Sequence, residues 1–257
     1  MSTTYRRRKS AMSKLGQLFS TPTLCIHYSC ESFYDYSNPT SRRITSIAIR
    51  PTTSSQTHSF SLHLAAEKLG KLNSINDALD ECERAMLDDY YKFVHSYLHG
   101  YHWIHWNMRD SNYGFEALDH RFEVLGGTPV HIPDANKTDL SPLLIDIYGK
   151  NYSGHPRIMW LVEKNNIHKR AMLTGEEEAE AFENRNFVAL HQSTLMKVQA
   201  LVEIADLAHR GRLINQSKWR DIYGGSVRDI GEALKDNWGL GDRHDSVRIS
   251  SWFCYLD

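Results

Sequence analysis

Cysteine is scarce. The 257 residues hold four, Cys25, Cys30, Cys82 and Cys254, and no C-x-x-C pair. That spacing excludes a zinc ribbon, whose ligands come in close-set pairs. A chain this long with so few cysteines does not depend on disulfides, which fits a reducing compartment. Long hydrophobic runs are also missing. Stretches such as Ile44 to Ile49 fall far short of the ~20 apolar residues that span a bilayer, so no membrane partner is expected. No secretory hydrophobic region follows the N-terminal arginines. Excess charge is lacking too: the formal net charge is −1, so bulk charge draws the chain to neither nucleic acid nor membrane, and any basic surface must be local. Acid is absent before Glu31, while Arg6, Arg7, Arg8 and Lys9 are consecutive. Residues 1–22 therefore read as a disordered basic tail on a cytoplasmic protein. An Arg- and Ser-rich stretch without acids also reads as an organellar transit peptide.

With 41% hydrophobic and 24% charged residues, a packed core is expected. Leu24 to Cys30 reads as a strand, followed by a polar turn with Asn38 and Pro39. Ile44 to Arg50 (ITSIAIR) alternates Ile44, Ser46 and Ala48 against Thr45, Ile47 and Ile49 and is β-branched. His58 to Leu64 alternates again, with Phe60, Leu62 and Leu64 on one face. Three strands joined by short polar loops predict an antiparallel meander. The period then changes. Leu79, Cys82, Met86, Tyr90, Phe93 and Tyr97 mark one face of a long helix, with Ser74 and Asp77 as its capping box and Gly100 just past its end. Tyr101 to Trp106 reads as a strand, Tyr113 to Leu125 as a helix stopped by Gly126-Gly127, and Val130 to Ile132 as one more strand. From Ser141 the pattern is helical. Ile158, Leu161 and Val162 share a short helix, Glu176 to Glu183 an acidic one, and Leu195, Val198, Val202 and Ala205 a longer one that Gly211 ends.

This order predicts an α/β domain over 23–211 with a ribonuclease H-like mixed sheet, an antiparallel meander plus βαβ, flanked by helices. Residues 212–257 form a C-terminal helical or irregular extension, in which Ser251 to Leu256 is a strand candidate. The first three strands are expected antiparallel, and the fourth parallel to the first.

Three constellations resemble the motifs of the DEDD-type 3′–5′ exonucleases. SCE at Ser29, Cys30 and Glu31 ends the first strand, where those enzymes carry Asp-x-Glu. HWNMRDSNYGFEAL, from His105 to Leu118, resembles their strand ending in a His-Asn pair. His105 and Asn107 match that pair, and Tyr113 or Phe115 the aromatic that follows, with Gly114 in place of an acid and Asp110 nearby in the turn. LHQSTLMKV, from Leu190 to Val198, resembles the last helix. One register places His191 as general base and Met196 at an Asp; the other places Leu190 at a Tyr and Thr194 at the Asp. The resemblance implies a site built for two magnesium or manganese ions held by carboxylates, yet of four implied acids only Glu31 stays in register. It therefore implies a degenerate nuclease, a pseudoenzyme that binds single-stranded DNA or RNA without cutting it. In an active version Glu31, Asp35 and Asp110 would hold the metal and Glu31 and His191 would serve catalysis. His105, Asn107, Arg109 and Tyr113 would line the substrate cleft, Arg109 offering a planar fork to phosphate.

Other readings stand beside these. An unrelated protein with a His- and Trp-rich ligand pocket around His102 to Asn107 fits the polar, aromatic segment. Glu176, Glu177 and Glu178 suit a solvated helix N-terminus. Arg109 serves equally as a surface partner of Asp110 or Glu116.

Overall fold

The alternating segments form one sheet. The computed structural model describes residues 3–31, 41–109 and 112–223. Strands β1 (Thr23–Cys30), β2 (Ile44–Pro51) and β3 (His58–Ser61) make the meander, and β4 (His102–His105) and β5 (Lys137–Asp139) extend it. The strand order is β3-β2-β1-β4-β5. β1 with β2 and β2 with β3 are antiparallel, while β4 runs parallel to β1 and to β5. This is the ribonuclease H-like mixed sheet that the chain order predicts.

Helices cover both faces. α2 (Leu62–Lys68), α3 (Leu79–Ser96) and α4 (Phe115–Val124) supply one side. α5 (Leu140–Tyr148), α6 (Arg157–Lys164), α7 (Gly175–Glu183) and α8 (Phe187–His209) follow. The strand period of two sends alternate residues to opposite cores. Leu24, Ile26, Tyr28, Ile47, Ile49 and Trp103 pack with α3 and α4. Cys25, Ala48 and Ile104 pack with α5, α6 and α8. A bulge breaks this parity: Ser29 pairs with Ser46, but the next residue, Cys30, pairs with Ile44. Ile44 thereby joins the core of Ile47 and Ile49 instead of following Ser46 and Ala48. The Thr45 hydroxyl donates to the Ser29 carbonyl at 3.1 Å.

The first correction concerns the N-terminus. Thr3–Ser20 is not a disordered tail but helix α1. Ala11, Leu15 and Leu18, spaced four and three apart, are buried in the core shared with α5 and α8. The arginine-rich composition hid an apolar stripe that only the helical period reveals. The His58 to Leu64 strand stops at Ser61. Leu62 opens α2, so Leu62 is buried while Leu64 is exposed, because LHLAAEK holds good helix formers. The expected capping box is absent: Ser74 lies in a 3₁₀ segment, and α3 starts after Ala78 with no side-chain cap. Val130 to Ile132 forms no strand. Pro129 and Pro133 flank it, and proline cannot donate to a ladder. The fifth strand is instead the polar Lys137–Asp139, with no hydrophobic run to announce it. In the C-terminal extension, α9 (Trp219–Tyr223) meets α1 and α5, and Ser251 to Leu256 lies outside the described residues. Among the described residues, no helix is long and apolar enough to cross a membrane.

Candidate functional site

Beyond the carboxyl end of β1, α8 crosses β1 and β2. Its residues 190, 194 and 197, spaced four and three apart, share one face. Thr194, buried at 0% exposure, brings its hydroxyl 2.9 Å from Ser29 Oγ and 2.6 Å from Ser46 Oγ. The Leu190 carbonyl lies 2.9 Å from the same hydroxyl, an alternative acceptor for its single hydrogen.

Glu178 completes the cluster from α7. The start of α7 is fixed by a capping box between Thr174 and Glu177, which turns Glu178 inward instead of leaving it on the solvated face expected for Glu176 to Glu178. Its Oε1 receives Ser29 Oγ at 3.1 Å, Ser193 Oγ at 2.8 Å and the Lys197 ammonium at 2.6 Å. The Lys197 and Glu178 side chains are only 12% and 16% exposed. One consistent proton assignment runs Ser46 to Thr194 to Ser29 to Glu178, each hydroxyl giving its single hydrogen to the next. The carboxylate ends the relay.

Aromatic and histidine groups close the cluster. The Tyr113 hydroxyl donates to the Tyr28 carbonyl at 3.0 Å and lies 3.3 Å from His27 Nδ1. The Tyr113 ring stacks on Tyr28 at 4.5 Å. Tyr28 Oη accepts from the Gly114 amide at 2.9 Å, which pins the start of α4 over β1. Burial, with help from the nearby Lys197 charge, lowers the His27 pKa to about 3. Burial likewise pushes the Cys30 thiol up to about 12 and raises the Tyr113 hydroxyl well above its ordinary value, with the Cys30 and Glu178 charges adding to the rise.

The remaining residues singled out in the sequence are dispersed. Glu31 follows β1, its amide held by the Arg43 carbonyl at 2.9 Å, and its carboxylate acts electrostatically on Arg121. His191 is buried beside His63, with ring centroids 5.1 Å apart. Burial first, and His63 second, lower its pKa to about 4. His105 is 5% exposed and packs edge-on against Phe115 at 5.4 Å. Burial lowers its pKa to about 4, against the opposing pull of Asp139. Asn107 and Arg109 do come together: the Arg109 guanidinium bonds both Asn107 Oδ1 and Asp139 Oδ2. Asp139 also accepts from the Asn107 amide at 3.1 Å and caps α5 through the Ser141 amide at 3.0 Å. Among the described residues the partner of Arg109 is thus Asp139 and not Glu116, and its guanidinium is already engaged by a carboxylate and an amide. Asp35 and Asp110 lie outside the described residues.

The tryptophans of the segment read as a possible His/Trp pocket are core: Trp103 and Trp106 are 0% and 6% exposed. Among the described residues, no three His, Cys, Asp or Glu side chains converge as metal ligands. Sequence reasoning also missed a second polar cluster, on the α3/α4 side. Fully buried Glu83 accepts from the Ile44 amide at 2.7 Å, Arg43 at 2.9 Å, and Arg121 at 2.9 and 2.6 Å. Asp80 pairs the same two arginines at 2.7 and 3.2 Å. A Glu three residues after an Asp on a mostly apolar helix face was the available signal.

No family model matches the chain, and no curated protein matches it. A solved structure is similar: the family B DNA polymerase from the hyperthermophilic archaeon Pyrobaculum calidifontis, at 13% identity and a TM-score of 0.48. The match covers 76% of this chain and 26% of the polymerase. The chain spans about a quarter of that polymerase's length.

Proposed function

We propose that this chain is a nucleic-acid-associated protein of ribonuclease H-like fold whose catalytic centre has become a closed structural network. The observation that carries this reading is the Ser29–Thr194 contact at 2.9 Å, joined to the Glu178–Lys197 ion pair. Two-metal hydrolysis needs carboxylates that hold two divalent ions about 3.5–4 Å apart. Magnesium and manganese take hard, anionic oxygen ligands. Here two of the family's acid positions carry neutral hydroxyls, already committed to one another. The carboxylate that reaches them, Glu178, is neutralised by an ammonium, whose charge repels a second cation. These residues do not fit the metal pair, and no hydrolytic step is derived through it.

A labelled single-stranded oligonucleotide incubated with the protein and magnesium or manganese is expected to stay intact. The alternative is an active nuclease using Glu31, Asp35 and Asp110. Degradation that Glu31→Ala abolishes would establish that alternative and overturn the proposal.

A further inference from the structure

A groove of about 430 Å³ runs between α1 and the β4–β5 edge, lined by Ser10, Ser13, Lys14, Gln17, His102 and Thr138. It is distinct from the Ser29–Lys197 network. Thr23, at the start of β1, pairs with His102, and Ser29 lies six residues on, about 20 Å along the strand. The volume falls in the range that holds small ligands. Unlike the network, the groove has no acid in its lining.

The α1 residues share one face by helical spacing, at i, i+3, i+4 and i+7, beside the buried stripe of Ala11, Leu15 and Leu18, of which Leu18 also lines the groove. Arg6 stands one turn before Ser10 on that face. Arg6 and Lys14 are separated by about 12 Å along the helix axis, so the cationic line continues beyond the groove. Arg7 is engaged by Asp146 at 3.8 Å. No ion pair holds Arg6 or Lys14 among the described residues. The charge of Lys14 reaches inward far enough to help depress the His105 pKa. Thr138 is 4% exposed, its hydroxyl makes no hydrogen bond among the described residues, and the residue lines this groove. A cation and several hydroxyl donors without a carboxylate match an anion rich in acceptor oxygens. Extension towards Arg6 favours a ligand longer than one nucleotide.

We propose that this groove binds the phosphates of a single-stranded nucleic acid, with Lys14 as the ionic contact and Ser10, Ser13 and Thr138 as hydrogen-bond donors. The inference rests on the nucleic-acid-associated reading and gives it a location away from the former catalytic centre.

The test is fluorescence anisotropy of the full chain with labelled oligo(dT) and oligo(rU) across a salt series. Each phosphate contact on a single strand contributes about 0.7 to the slope of log K against log salt. Lys14→Ala is expected to flatten the slope by about that amount. Lys164→Ala, which removes the same charge from α6, is expected to leave it unchanged. If the wild-type protein binds but Lys14→Ala matches its slope, the groove is not the site and nucleic-acid association stands. If the wild-type protein binds neither oligonucleotide, both readings fall together.

Discussion

The β1–β2 hairpin is gripped from two sides by polar clusters of opposite character. On the α3/α4 side, Glu83 is surrounded by Arg43, Arg121 and the Ile44 amide, with Asp80 bridging the same arginines. On the α7/α8 side, Ser29, Ser46 and Thr194 exchange hydroxyl contacts, and a single ion pair, Glu178–Lys197, lies beside them with Ser193 donating to its carboxylate. Burial pushes the Glu83 carboxyl above its ordinary value, against the pull of the guanidiniums, while Arg43 holds Asp80 below its own. In the first cluster every member depends on a buried opposite charge. In the second, neutral groups fill most of the space. A charged clamp fixes the hairpin on one side, and a mostly neutral hydroxyl network holds it on the other.

The contrast predicts a graded response to substitution. Glu83→Ala leaves Arg43 and Arg121 with only the largely exposed Asp80 as counter-charge. Breaking a buried pair from one side costs about 3–5 kcal/mol, and a lowered urea midpoint at unchanged slope would register it. A loss under about 1 kcal/mol would remove the distinction between the two clusters. Lys197→Met should cost less, about 1–3 kcal/mol, since Ser29 and Ser193 still serve Glu178. Adding Glu178→Met should recover part of that loss, because replacing both members of a buried pair is far milder than removing one. A double-mutant cycle with no coupling would show that the ion pair is incidental.

Acid distinguishes the network further. His27 stays neutral in the folded protein down to about pH 3, whereas an unfolded histidine protonates near 6.5. The unfolded state therefore binds the extra proton between these values. The stability that His27 allows is complete above pH 6.5 and declines as pH falls towards 3, by about 1–2 kcal/mol at pH 5. His105 and His191, each lowered to about 4, act in the same direction. Melting temperatures between pH 7.5 and 4.5 should fall, and Lys197→Met should make the fall shallower by removing one cause of the His27 depression. The smallest effect is expected from Thr194→Val, about 1 kcal/mol, read by the same urea titration. A loss as large as that of Glu83→Ala would mean that the hydroxyls, too, act as a clamp.

Periodicity made most of the sheet legible. Leu24 to Cys30 and Ile44 to Arg50 alternate because one sheet presents them to two cores, and α3 and α8 show helical spacing for the same reason. The pattern failed where burial is polar or the element short. Lys137–Asp139 has three residues and no apolar signal, yet it carries Asp139, the hub that holds Asn107 and Arg109. Ser29 and Thr194 were found in sequence as departures from carboxylates. Their mutual contact was not, because hydroxyls 165 positions apart carry no mark of one another. Glu178 was hidden by its neighbours: three consecutive glutamates read as a solvated face, and only the capping box through Thr174 and Glu177 decides which one turns inward.

Helix α1 has a consequence for how the molecule is assembled. Its partners, α5, α8 and α9, lie far down the chain, so α1 is synthesised well before most of its binding surface. Leu15 and Leu18 must wait, unsheltered, until α8 has left the ribosome, and such long-range closure is the slow, aggregation-exposed part of folding. Removing α1 would leave that seam open on the finished domain.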